Sequence, residues 1–151
     1  MLAEAEDVHG TLEIFVRFAQ QFFERVVLLV VQGGRAEARV GHGVPAEIST
    51  LDLALDQPSL IRHAHDTAQI VVARLAAEGI DGALKTTLAL GDEVEVVAIP
   101  ILVRQRVVAV LYADDAPANV DRDAVAEVAG FANVVGNAIA MLIVRRKRSK
   151  G

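Results

Sequence analysis

The sequence predicts an α+β domain: a central antiparallel sheet of five or six strands, flanked by an N-terminal helix and a long C-terminal helix. Three observations predict it. Strand-like apolar runs come in adjacent pairs split by two-residue breaks, at 25–41 and 94–113. Long helical periodicity sits at the two ends of the chain. No internal repeat or low-complexity linker divides the 151 residues, a length suited to one domain.

Residues 4–23 read as the first helix. Val8, Leu12, Phe15, Phe18, Ala19, Phe22 and Phe23 recur near a 3.6-residue period, and Ile14 and Val16 widen the stripe. The unbroken Val and Leu run at 25–32 suits a strand covered on both faces. Gly33-Gly34 then reads as a tight turn, because glycine takes positive φ freely. Residues 35–41 alternate Ala36, Ala38 and Val40 with Arg35, Glu37 and Arg39, giving the hairpin one small face and one charged face. Gly41 to Pro45 breaks the pattern. A short strand at 50–55, a helix at 58–66 opened by Pro58 and a strand at 69–73 follow. Residues 74–79 read as a surface helical turn ending at Gly79, and 80–92 carry no clear pattern. The second hairpin is the clearest: Val94, Val96, Ala98, Pro100 and Leu102 share one parity, and Val107 to Tyr112 are buried-strand material. Asp114 to Asn119 form a loop, Asp121 caps the last helix, and that helix runs to about 147. The reading is one domain at 1–147 with a basic tail at 148–151.

Composition narrows the function classes. There is no cysteine, which excludes disulfides, thiol nucleophiles and thiolate metal sites in this chain. Five Phe, one Tyr and no Trp disfavour stacking on single-stranded nucleic acid. Arg145, Arg146, Lys147, Arg148 and Lys150 hold five of the 15 basic residues, leaving ten against 20 acidic in the body. An acidic body repels phosphates and anionic membranes, and the basic end suits the negative pole of a helix. The acidic start, Met1 to Asp7, lacks the basic region of a signal peptide, so the expected compartment is the cytoplasm.

Pro100-Ile101-Leu102-Val103-Arg104-Gln105-Arg106-Val107-Val108-Ala109-Val110-Leu111-Tyr112-Ala113-Asp114 resembles the closing hairpin of GAF domains, sensory and regulatory modules of bacterial signalling proteins. An acidic cap and a long amphipathic helix follow it, as Val120 to Ile143 do here. Pro58 to Ala64 resembles the family's mid-domain helix, and 26–31 its first strand. The order of these pieces matches over nearly the whole chain. The family often places glycine where Gln105 and Ala109 stand. The cyclic-nucleotide pattern of one branch is absent, and the sulfoxide-reducing and bilin-binding branches call for cysteine. The resemblance implies a non-enzymatic regulatory module of signal transduction, with a small-molecule pocket on one sheet face and helices that dimerise or relay a signal to an output domain. The alternative is a roadblock/profilin-like protein–protein interaction module with no ligand.

His63, His65 and Asp66 have metal-ligating chemistry, but His63 and His65 diverge by about 200° on a helix, and the remaining pair does not close a site. No metal, cofactor or catalytic constellation is assigned. His42, between two glycines beside the sheet, His65 and Tyr112 are the candidate ligand-binding residues. Asp114 and Asp115 read as solvated turn residues. The last helix is apolar on two sides. Val125, Val128, Ala129, Ala132, Val135, Ile139, Leu142 and Ile143 form the stripe for the sheet, and Phe131, Val134, Ala138 and Met141 form a second stripe, the candidate homodimer interface. Residues 124–144 have the length of a membrane span, but Glu127, Asn133 and Asn137 interrupt them, so spanning is disfavoured.

Overall fold

The computed structural model describes residues 2–150, with side chains from Asp7 to Arg145. Its elements in chain order are α1 (Leu2–Gln20), β1 (Arg25–Gln32), β2 (Arg35–His42), α2 (Ala46–Ser49), β3 (Asp52–Ala54), α3 (Leu60–Thr67), β4 (Val71–Arg74), α4 (Gly79–Thr87), β5 (Glu95–Val103), β6 (Arg106–Asp114) and α5 (Arg122–Lys150). The strands form one six-stranded sheet in the order β3-β2-β1-β6-β5-β4. Every neighbouring pair is antiparallel. The α+β class and the strand number match the sequence expectation. The side chains of the basic tail at 148–151 lie outside the described residues.

Strand periodicity divides the interior into two cores, one on each face of the sheet. Val26, Leu28, Val97, Ile99, Ile101 and Leu111 face α1 and α5. Val27, Leu29, Val96, Ala98, Val110 and Tyr112 face α2, α3 and α4. A register shift between Ile101 and Leu102 keeps this division intact through the second hairpin: Ile101 pairs with Ala109 while Leu102 pairs with Val107. Val108 is the extra residue. Its bulge explains how Val107 and Ala109 serve opposite faces despite equal parity.

On the first face, Val125, Val128, Ala132, Val135 and Ile139 bury the stripe that the sequence assigned to the sheet. Gly136 sets the closeness of this packing. A Cβ built there would stand 2.1 Å from the Leu102 carbonyl oxygen, so only glycine admits α5 this near β5.

The middle of the chain departs from expectation. The expected turn at 74–79 is instead the end of β4 and a loop, and Gly79 opens α4 rather than closing a helix. Gly79 has φ +68°, a conformation that glycine supplies at little cost, so the same residue serves a start as readily as a stop. The four-residue α2 and the nine-residue α4 are too short to announce themselves by periodicity. Both are held by burial, through Ile48 and Leu84.

Candidate functional site

Three short helices roof the second sheet face, and two kinds of space lie beneath and beside them. The interior space is lined by Val27 and Leu29 from β1, Ile48 and Leu51 around α2, Ile61 from α3, Leu84 and Leu88 from α4, and Tyr112 from β6. Its free volume is about 10 Å³. That is about the room for one water, and the apolar lining offers a water nothing to bond. A cleft of about 610 Å³ opens at the edge of the sheet, where Ser59 and Leu60 of the α3 entry face Ile80 and Asp81 of α4 across Val71 and Ala73.

The α3 entry is satisfied twice. Ser59 Oγ accepts the Arg62 amide at 3.0 Å, an N-cap bond. The Leu60 amide donates to both carboxylate oxygens of Asp81, at 3.0 and 3.1 Å, from 21 residues away. Burial pushes the Asp81 carboxyl above the usual range, and the Leu60 amide opposes this.

At the other end of α4 lies a charged node. Asp114 is fully buried. It accepts from Arg25 Nε at 2.8 Å, from the Tyr112 hydroxyl at 2.5 Å and from the Ala116 amide at 3.1 Å. Arg25 Nη1 also donates to the Leu88 carbonyl at 2.9 Å, just past α4. Asp115 accepts the Glu24 amide at 2.8 Å. Burial raises the Asp115 carboxyl, and the Glu24 amide opposes that rise. Burial, and then the Asp114 charge, pushes the Tyr112 hydroxyl far above the ordinary phenol range. Asp114 and Asp115 are therefore not solvated turn residues: one is the centre of a buried network and the other clamps the start of β1. The local signal was Tyr112 and Asp114 two apart on a strand, hence on one face. The Arg25 partner lies 89 residues away and has no local signature.

The three candidate ligand residues do not share a cavity. Tyr112 lines the interior space, whereas His42 and His65 do not. His42 is exposed at the end of β2, paired in register with Val26. His65 is part-exposed on α3, its Nδ1 2.9 Å from Asp66 Oδ1. Arg62 Nε donates to the other Asp66 oxygen at 3.1 Å. The His65 contact, followed by that of Arg62, lowers the Asp66 carboxyl below its usual value. Among the described residues, no group of three His, Cys, Asp or Glu is placed to hold a metal.

The candidate interface stripe divides. Phe131 is covered within the chain by α1: its ring lies 4.5 Å from that of Phe18 and 6.2 Å from that of Phe15, centroid to centroid. It is an α1–α5 contact, because the N-terminal helix packs where periodicity alone left an open face. Val134 and Met141 are 57% and 62% exposed, and Ile14 of α1 is 57% exposed. Ile14, Ala138 and Met141 line one groove of about 510 Å³ between α1 and α5. Residues 122–145 are long and apolar enough to cross a membrane, but the sheet already covers the inward stripe of that helix.

No family profile and no curated protein matches the chain by sequence. Solved structures match throughout its length. The blue-light-absorbing form of the PixJ GAF domain of Thermosynechococcus elongatus superposes with TM-score 0.80 at 12% identity, covering 99% of this chain and 95% of that one. The GAF domain/HD domain protein of Geobacter sulfurreducens gives 0.74 at 14% identity, covering 91% and 95%. A type II free methionine-R-sulfoxide reductase of Thermoplasma acidophilum gives 0.58 at 10% identity, covering 93% and 94%. This chain has the GAF-domain fold.

Proposed function

We propose that this chain is a sensory and regulatory module of signal transduction, without catalysis of its own, that homodimerises through α1 and α5. A small molecule or partner on the α2–α4 side shifts the population between two helix packings, and the end of α5 relays the shift to an output domain. The observation that carries the reading is the outer face of α1 and α5. Three of the four large hydrophobic residues exposed among the described residues, Ile14, Val134 and Met141, gather there. An apolar face of this kind marks an interaction site. The reading assigns the chain to the cytoplasm, since α5 gives its inward stripe to the sheet. Thiol chemistry has no residue to carry it.

Size-exclusion chromatography with light scattering tests the dimer. The expected result is a dimer at micromolar concentration that Met141→Lys converts to a folded monomer. A wild-type monomer at high micromolar concentration overturns the mechanism. The nearly filled interior favours a second reading, an interaction module with no ligand. A thermal-shift screen with nucleotides and metabolites separates the two: a stabilising compound supports the sensor, and none supports the interaction module.

A further inference from the structure

We propose that the free edge of β4 takes an extended, basic segment of a protein partner as a seventh strand. Alternate side chains of that segment sit in the cleft at the sheet edge. The surface shares no residue with the α1–α5 groove, so it does not depend on the dimer. Ile70-Val71-Val72-Ala73 is apolar and mostly β-branched, with no charge before Arg74, the composition of a strand that pairs readily. β4 closes one end of the sheet and pairs only with β5. About half of the N–H and C=O groups of such a strand point outward. Among the described residues, none of Val71 to Arg74 has a backbone hydrogen bond beyond that ladder. The opposite edge is guarded: β3 is three residues long, and its Asp52 is held in an ion pair with Arg35. The β4 edge instead leaves Ile70 45% exposed, the fourth of the large exposed hydrophobic residues and the one that the α1–α5 face does not include.

Both faces of this edge offer ground to an added strand, whose side chains alternate between them. On one face Val71 and Ala73 line the cleft of about 610 Å³ together with Leu60 and Ile80, room for apolar side chains two residues apart. On the other face the part-exposed Val72 packs toward the α5 core and gives the second row a landing. Charge selects the segment. Arg74 is answered within the chain by Glu93 at 3.1 Å. Glu78 and Asp81, at the cleft beside the start of α4, have no cationic partner among the described residues. A Lys or Arg on the segment supplies one, and the acidic body of the chain attracts it from a distance. A second copy is the poorer occupant. It brings the same acidic rim, and two β4 strands side by side meet over four residues and put nothing into either cleft. Such a contact falls far short of the roughly 1,200 Å² of a stable interface between folded chains, whereas main-chain pairing plus a side-chain pocket suffices for an extended peptide.

The test titrates the peptide acetyl-Lys-Thr-Leu-Thr-Ile-Thr-Lys-amide into the full chain and follows amide resonances and hydrogen exchange. Leu and Ile share the side meant for the cleft, and a terminal Lys reaches Glu78. Shifts are expected at residues 59–60, 70–74 and 78–81, with the outward amides of 70–74 exchanging about tenfold more slowly. No shift at millimolar peptide overturns the proposal. Two methylated peptides decide the mode. N-methylation of Leu and Ile blocks one edge of the segment, and N-methylation of its Thr residues blocks the other. One is expected to abolish binding and the other to change it by less than about twofold. Binding that survives both, or is lost in both, overturns strand addition. Ala73→Phe fills the cleft from the sheet side and is expected to weaken binding about tenfold. Glu78→Gln weakens it about threefold, and equal affinity in that variant overturns the basic character of the segment. Should Ala73→Phe not fold, the methylated peptides on the wild-type chain still decide. Light scattering of Met141→Lys tests the rival occupant: if that chain stays associated and Ile70→Lys disperses it, a second copy covers the edge and the partner segment is overturned. A monomeric wild type sinks the dimer and leaves the peptide titrations untouched, so the two failures are told apart.

Discussion

Arg25 and Asp114 form an ion pair of 2.8 Å between the first residue of β1 and the last of β6, with the carboxylate side chain fully out of water. A buried pair is a weak source of net stability, but breaking it is costly because the remaining charge stays buried. Asp114→Ala strands the Arg25 guanidinium, the Tyr112 hydroxyl and the Ala116 amide together. The expected loss is about 3–5 kcal/mol, a fall in Tm of roughly 10 °C. Arg25→Met in the same background adds less than it costs alone, since the two changes share one interaction. Thermal melts of the two single variants and the double variant check both statements.

The parts of the fold that could be read early are those with local causes. Val94, Val96, Ala98 and Leu102 do lie on one face, and the α5 stripe from Val125 to Ile139 does cover the sheet. Two-residue breaks placed both hairpins because turn chemistry is a property of adjacent residues. The candidate site was less visible. Asp81 meets Leu60, and Arg25 meets Asp114, through tertiary packing over 21 and 89 residues. The same holds for Phe131. Helical spacing correctly set it off the sheet-facing stripe, but only the placement of α1 decides that Phe15 and Phe18 cover it.

Glycines in α5 divide into one that packing requires and one that it does not. Gly136→Ala drives a methyl into the Leu102 carbonyl, which belongs to backbone and cannot swing aside. The helix must back away from β5, and the expected loss is about 1–3 kcal/mol. Gly130 has nothing within 4 Å of an added Cβ. Gly130→Ala removes unfolded-chain freedom at a helical position and is expected to stabilise by about 0.4–1 kcal/mol. Urea denaturation of the two variants gives opposite signs relative to wild type, and equal effects would refute this account of the α5–β5 approach.

The turn between β5 and β6 carries strain in ordinary residues. Arg104 and Gln105 take φ +53° and +68°, the left-handed region, where a two-residue hairpin favours Asn-Gly. A Cβ there crowds the following carbonyl by about 1 kcal/mol. Both side chains are exposed, so replacing them removes no core contact. Gln105→Gly, and more so Arg104→Asn with Gln105→Gly, is expected to raise stability by about 1 kcal/mol or slightly more. The gain should appear as a higher urea midpoint with an unchanged slope.

The acidic limb of α3 stability is predicted from Asp66. His65 first, and Arg62 after it, hold this carboxyl below its ordinary value of 3.8 in the folded chain. The unfolded state therefore takes up the proton first as pH falls. The contribution of Asp66 is present in full above pH 3.8 and is lost as pH drops through the lower folded value. The side chain is exposed, so the effect is local to α3 and salt-sensitive. In ¹³C-detected titration the Asp66 carboxyl is expected to have its midpoint below 3.8, and His65→Ala to move that midpoint upward. A midpoint that ignores the loss of His65 would mean that the imidazole contact at 2.9 Å carries no charge-stabilising hydrogen bond in solution.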